Sequence, residues 1–205
     1  QTMSAFFVHD LKNTASTLAL MLRNLPTHFE DPQFRQDALR ATGKSVERIN
    51  TLISRLSLLR QNLEMNLKPS DLNQVVEGVL TSLEPAAQPK MVKQLASLPP
   101  LKLDSEQMQK VVTNLVLNAW EAIEARPGGV VRVTTARDHG WAVLSVADNG
   151  CGMTPEFISR SLFRPFQTTK KKGIGIGMFH TKVIVEAHRG KIEVSSEAGH
   201  GTTFR

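Results

Sequence analysis

The sequence predicts an α-helical hairpin that pairs with a second copy into a four-helix bundle, followed by an α+β two-layer sandwich. Three observations predict it. Apolar residues recur at heptad-like spacing through the first third of the chain. Pro69 then interrupts the helical pattern. Beyond it, β-branched runs alternate with amphipathic stretches, as in a core shared by strands and helices.

Residues 2 to 26 read as the first helix, because Val8, Leu11, Ala15, Leu18, Leu22 and Leu25 fall 3, 4, 3, 4 and 3 apart. Pro26 ends that run, and THFEDPQF supplies a polar loop. A second helix is expected from about Pro32 to Asn66, with Val46, Ile49, Ile53, Leu56, Leu59 and Leu63 as its stripe. A two-helix hairpin cannot cover both seams well, so a homodimer is expected to bury them in a four-helix bundle. The hairpin is assigned to 1–67. A linker follows at 68–70, with Ser70 or Asp71 able to cap the next helix.

The second domain is assigned to 71–205, long enough for a core of its own. Helices are expected at 71–84, 104–125 and 176–189, and strands at 130–136, 142–148 and 191–196. RDHG, with Gly140 in the turn, joins the first two strands as a hairpin. Gly190 is placed as the left-handed cap of the last helix.

Composition narrows the function classes. The 205 residues carry 40% apolar and 21% charged side chains, ordinary for a globular protein, and no fixed-period repeat. No apolar run reaches the length of about 20 residues that spans a bilayer. The chain opens on Gln with no signal-peptide pattern. It reads as the soluble part of something longer, with any membrane anchor in a segment upstream. One cysteine, Cys151, excludes an internal disulfide or a Cys-rich metal site and suits a reducing cytoplasm. The net charge of +6 is scattered apart from Lys170, Lys171 and Lys172, and tyrosine is absent, so nucleic acid is not expected as a partner.

Several short motifs carry chemistry. FFVHDLKN places His9 beside Asp10, with Asn13 one helical turn on. NLVLNA sets Asn114 and Asn118 on one helix face, suiting either a pair of satisfied buried amides or a polar ligand such as a hydrated ion. In DNGCGM a strand ends at Asp148, which can accept from an exocyclic amine, and Gly150 and Gly152 permit close backbone approach. LFRPFQTTKKK offers Phe163 and Phe166 as loop anchors, with Arg164 and the lysines as positive charge. GIGIGM then opens a helix, where free N–H groups and the helix dipole favour an anion. The run is neither a Rossmann fingerprint nor a P-loop.

Taken in order, NLVLNA, DNGCGM, LFRPFQTTK, GIGIGM and the terminal GHGTTF resemble the N, G1, F, G2 and final boxes of the Bergerat-fold (GHKL) ATP-binding domain. With VHDLKN as an H-box, nearly the whole chain resembles the catalytic core of a sensor histidine kinase. HDLKN and the short TTKKKGIGIGM lid most resemble the kinases of PEP-CTERM protein-sorting systems. The stretch AWEAIEA after Asn118 departs from the family's usual A-x-K-[FY]-T, leaving the wall near Trp120 different. The chain also stops short of the usual end of the last strand and begins only eight residues before His9, which puts dimerisation of this stretch in doubt.

The resemblance implies roles. His9 is the phospho-acceptor, Asp10 its acid–base partner, and Asn13 serves dephosphorylation of the partner receiver domain. Asn118 coordinates Mg²⁺, and Asn114 faces the same site. Asp148 reads the adenine of ATP, in a pocket shaped by Gly150 and Gly152. Lys170, Gly173, Gly175 and Gly177 surround the phosphates, and Thr202 or Thr203 lies near the base. A neutral imidazole, with an ordinary pKa of about 6.5, is a competent nucleophile near neutral pH. The chemistry is mainly positioning and charge neutralisation. A chaperone-like or repair ATPase of the same fold would want Glu where Asn114 stands. A non-catalytic binding module would not need Asn118, Asp148 and the glycines intact.

Overall fold

A computed structural model describes residues 3–60, 64–83, 90–124, 126–168 and 175–205. The chain divides into two compact units, Gln1–Asn62 and Leu63–Arg205.

The first unit is a hairpin of α1 (Met3–His28) and α2 (Pro32–Arg60). The Asp31 carboxylate accepts the Gln33 N–H at 2.8 Å, and Pro32 takes the first helical position, where its missing N–H costs nothing. Among the residues whose burial is described, the covered positions include Thr14, Leu18, Met21 and Leu25 on α1 and Phe34, Ala38, Ala41, Ser45 and Ile49 on α2. Each set recurs at intervals of three or four, so each helix turns one stripe toward the other. The expected α1 seam therefore divides between two faces. Leu18 and Leu25 are covered, whereas Leu11 is 55% exposed and Leu22 69% exposed.

Two helix ends differ from expectation. α1 runs through Pro26 to His28, because a proline in the last turn removes only one ladder bond. α2 extends to Arg60, and residues 64–67 are not helical.

The second unit holds a five-stranded sheet in the order β2-β4-β5-β7-β6: β2 (Lys90–Leu95), β4 (Val130–Asp138), β5 (Trp141–Asp148), β6 (Val194–Glu197) and β7 (Gly201–Phe204). Only β2 and β4 run parallel. Lys68–Ser70, expected as linker, forms β1 and pairs antiparallel with β3 (Leu101–Leu103). Pro69 is tolerated in that short, exposed strand.

α3 (Leu72–Ser82), α4 (Ser105–Ile123) and α6 (Gly177–Ala187) carry the helical layer, with α5 (Pro155–Arg160) beside β6. Asp71, not Ser70, caps α3, accepting the Asn73 N–H at 2.8 Å. α4 packs against α3 and α6 and lies on β4 and β5. Its Val112 and Val116 are fully buried against a core that includes Val131, Val133, Val146 and Ile184. Along β4, Val131, Val133 and Thr135 point inward while Arg132 points out, the two-residue alternation of a sheet covered on one face. This is the expected two-layer α+β sandwich.

The β4–β5 hairpin turns at His139 and Gly140, both at positive φ, as a two-residue type I′ turn requires. The α6 cap differs from expectation. Arg189, not Gly190, takes the left-handed position at φ 59. Its N–H reaches the Glu186 carbonyl at 2.9 Å, and the Gly190 N–H reaches that of Val185 at 2.9 Å, a Schellman closure. The strand expected at 191–196 is β6, which runs from Val194 to Glu197 at the edge of the sheet.

Candidate functional site

The site grows from the side of α4 that faces α6. Asp104 caps α4 through the Gln107 N–H at 3.0 Å, and the helix then carries Asn114 and Asn118 one turn apart. Val111, Val112, Leu115 and Val116 bury the other flank, which fixes the face the two amides present. The Asn114 amide donates to Thr181 Oγ1 at 2.9 Å and to Met178 Sδ at 3.4 Å. Asn118 donates to the same sulfur at 3.3 Å. The two amides thus converge on the first turns of α6.

That turn depends on Gly177. A Cβ there would strike the Asn114 carbonyl oxygen, so the glycine lets α6 start against the amide. No side chain caps α6 among the described residues. Gly175 packs against the Gln167 backbone, and its carbonyl accepts the Phe166 N–H at 2.7 Å. Phe166 and Gln167 are therefore held directly against Gly175. Phe163 packs on the core, as an anchor should, with the Lys182 ammonium 5.5 Å above its ring. Arg164 is exposed. Lys170 and Gly173 lie outside the described residues.

The strand side brings Asp148 to the C-terminal end of β5, paired with Thr202 across β5 and β7. Its carboxylate accepts the Gly150 N–H at 2.8 Å. Burial raises its pKa above the ordinary value, and hydrogen bonds from the Gly150 and Thr202 backbones offset part of that rise. Gly150 and Gly152 do permit close approach, but to the protein's own chain. A Cβ on Gly150 would meet the Ala122 carbonyl, and one on Gly152, at φ 63, the Glu197 carbonyl. Thr202 is buried and lies 2.9 Å from Ser196 Oγ, which also accepts the Met153 N–H at 2.9 Å. Thr203 is half-buried on the alternate side of β7.

Some contributing residues were not legible in the sequence. Arg126 donates one guanidinium nitrogen to the Gly150 carbonyl at 3.0 Å and to the Gly199 carbonyl at 2.9 Å, pinning the loop after β5 to the β6–β7 turn. The Asn149 side chain accepts the Val130 N–H at 2.7 Å and closes the same loop onto β4. Both bonds join residues far apart in sequence, and no local pattern signals them. Met178 is the shared acceptor of both amides.

In the hairpin, His9 and Asp10 fall on the α1 backbone, and their side chains lie outside the described residues. Asn13 is exposed on the same helix. His180 and His188 belong to the second unit. Burial, then Lys110, lowers the His180 pKa. His188 accepts the Asp104 N–H at 2.9 Å through Nε2 and bonds the Ile184 carbonyl through Nδ1, a structural tie between α6 and α4.

The donor set fits a hydrated divalent cation. Two neutral amide oxygens on one face can share such an ion with water and phosphate oxygens, as Mg²⁺ prefers. Among the described residues no group of three His, Cys, Asp or Glu side chains could hold a metal.

Comparison with known proteins agrees with this geometry. Residues 103–205 match the model of the family described as histidine kinase-, DNA gyrase B-, and HSP90-like ATPase. Sporulation kinase C of Bacillus subtilis (strain 168) is 30% identical over 99% of this chain and 47% of its own length. The signal transduction histidine-protein kinase AtoS of Escherichia coli (strain K12) is 30% identical over 98% of this chain and 33% of its own length. The chain thus spans under half of each. Among solved structures, full-length ShkA in complex with AMPPNP shares the fold at a TM-score of 0.66, with 22% identity over 98% of this chain and 44% of that one. Histidine kinase ThkA in complex with the response regulator protein TrrA does so at 0.64, with 19% identity over 98% and 59%.

Proposed function

Because the chain belongs to the histidine kinase-, DNA gyrase B- and HSP90-like ATPase family, as a sensor histidine kinase catalytic core, we propose that it moves the γ-phosphoryl group of ATP onto His9 and then onto a response-regulator aspartate. The observation that carries this reading is the convergence of Asn114, Asn118 and the glycine start of α6 at one place. The division between a hairpin that presents His9 and an ATP-binding domain belongs to the same reading, with the expected 1–67 and 71–205 bounds replaced by the two units Gln1–Asn62 and Leu63–Arg205.

The chain's own groups have distinct tasks. Asp148 accepts the exocyclic amine of adenine, with Gly150, Gly152, Thr202 and Thr203 shaping the surroundings of the base. The α6 N-terminus, with Gly173, Gly175 and Gly177, approaches the phosphates closely and offers them N–H groups and the positive end of its dipole. Lys170 adds charge from the lid. Asn118 is the ligand for Mg²⁺, with Asn114 beside it. The metal supplies neutralisation of the polyphosphate charge. The His9 ring attacks through one nitrogen while Asp10 takes or holds the proton on the other. Asn13, one turn on, orients water for removal of the phosphoryl group from the regulator.

The exposed Leu11, Leu22, Leu39 and Val46 support a homodimer, since a second hairpin would cover them. No described helix is long and apolar enough to cross a membrane. We place this portion in the cytoplasm, where ATP and a receiver domain are available, with any anchoring through other segments. The relation to PEP-CTERM-system kinases remains a resemblance of HDLKN and the short lid.

Incubation with γ-labelled ATP and Mg²⁺ tests the reading. Label on the protein that survives alkali, is lost in acid, and passes to a receiver domain is the expected result. ATP hydrolysis without any protein-bound label would favour an ATPase of the same family instead.

A further inference from the structure

We propose that Met178 is a positioning residue for the metal site, holding the amides of Asn114 and Asn118 in one orientation through its sulfur. The inference rests on the reading of Asn118 as the Mg²⁺ ligand and extends it to how that ligand is aimed. A thioether has no hydrogen to donate, so only the nitrogen end of an amide can face it as a hydrogen-bond partner. Met178 Sδ lies 3.3 Å from the Asn118 amide nitrogen and 3.4 Å from that of Asn114. Both distances suit a bond to sulfur, which fixes which end of each amide faces Met178 and leaves the Asn114 oxygen against Gly177.

The orientation matters because a cation takes the carbonyl oxygen and is repelled by the NH₂ group. An amide that flips freely offers the wrong end part of the time. Thr181, 2% exposed, reinforces the choice at Asn114 by accepting the same nitrogen at 2.9 Å. The Asn118 nitrogen has Met178 as its acceptor on α6. One sulfur on the helix that begins at the glycine run thus sets the amides of the neighbouring helix. Glycine run and metal face then stay in register. Partners that orient a metal ligand commonly change metal affinity by 10–100-fold when removed.

The test compares two substitutions by the Mg²⁺ dependence of binding of a fluorescent ATP analogue, with no turnover needed. Met178→Leu keeps the volume and removes the acceptor. Met178→Gln keeps an acceptor oxygen at similar reach but buries an amide. The expected result is that Leu raises the Mg²⁺ concentration giving half-maximal binding on the order of 10-fold, that Gln raises it less, and that binding in EDTA is unchanged in both. A packing role gives the opposite order, because Leu replaces Met with little loss in a core and Gln does not. Leu equal to the parent, or Gln worse than Leu, overturns the proposal. Asn118→Ala separates the two layers of the argument. If it leaves the Mg²⁺ dependence unchanged, the metal assignment falls and this inference with it. If it abolishes that dependence while Met178→Leu does not move it, only the role of Met178 falls.

Discussion

At the scale of single side chains, α4 and β5 contribute opposite kinds of polarity. Asn118 offers a neutral oxygen, and its replacement by alanine is expected to lower Mg²⁺-dependent ATP use on the order of 10–100-fold, measured as the Mg²⁺ dependence of labelling. Unchanged labelling would remove it from the site. Asp148 offers a charge in a half-buried position. Burial raises its pKa despite the Gly150 and Thr202 hydrogen bonds, so it takes up a proton at a higher pH than a free aspartate. Its ionisation therefore opposes folding at neutral pH, and this penalty is relieved as the pH falls through the raised value. Nucleotide affinity is expected to weaken over that same window without a loss of stability from this group. Titration of ATP-analogue binding against pH, beside Asp148→Asn, checks it: the substituted protein should lose the pH-dependent step.

At the scale of elements, α4 is both the centre of the core and the carrier of the amides. Leu115→Ala, at a position 5% exposed, is expected to destabilise the second unit by about 2–5 kcal/mol. Both tryptophans, Trp120 and Trp141, lie in that unit, so their fluorescence in denaturant reports its unfolding alone. Gly177→Ala should instead spare most of the stability and weaken nucleotide binding, because its Cβ pushes the start of α6 off Asn114. The heptad stripes, the RDHG turn and the alternation in β4 made most elements legible from local sequence. β1, β2, β3, β7 and α5 did not announce themselves, because short elements with polar neighbours carry too few residues for a periodic signal. The amide pair and Asp148 could be picked out by spacing and position at a strand end. Arg126, Asn149 and the sulfur of Met178 could not, since their partners stand far away in sequence.

At the scale of the molecule, the chain divides into two units: one carries His9, the other the paired amides and Asp148. The hairpin keeps one stripe for its own two helices and leaves a second, including Leu22 at 69% exposure, uncovered. Substituting Leu22 with a charged residue is expected to shift the chain toward monomer in sedimentation, leaving ATP binding by the second unit unaltered. The central claim is that the phosphoryl group held in the second unit ends on the hairpin. The most direct measurement is to expose parent and His9→Gln proteins to γ-labelled ATP and Mg²⁺ while following nucleotide binding in both. Acid-labile label present in the parent, absent in His9→Gln, with equal ATP binding, is the predicted result; label that persists in His9→Gln would contradict it.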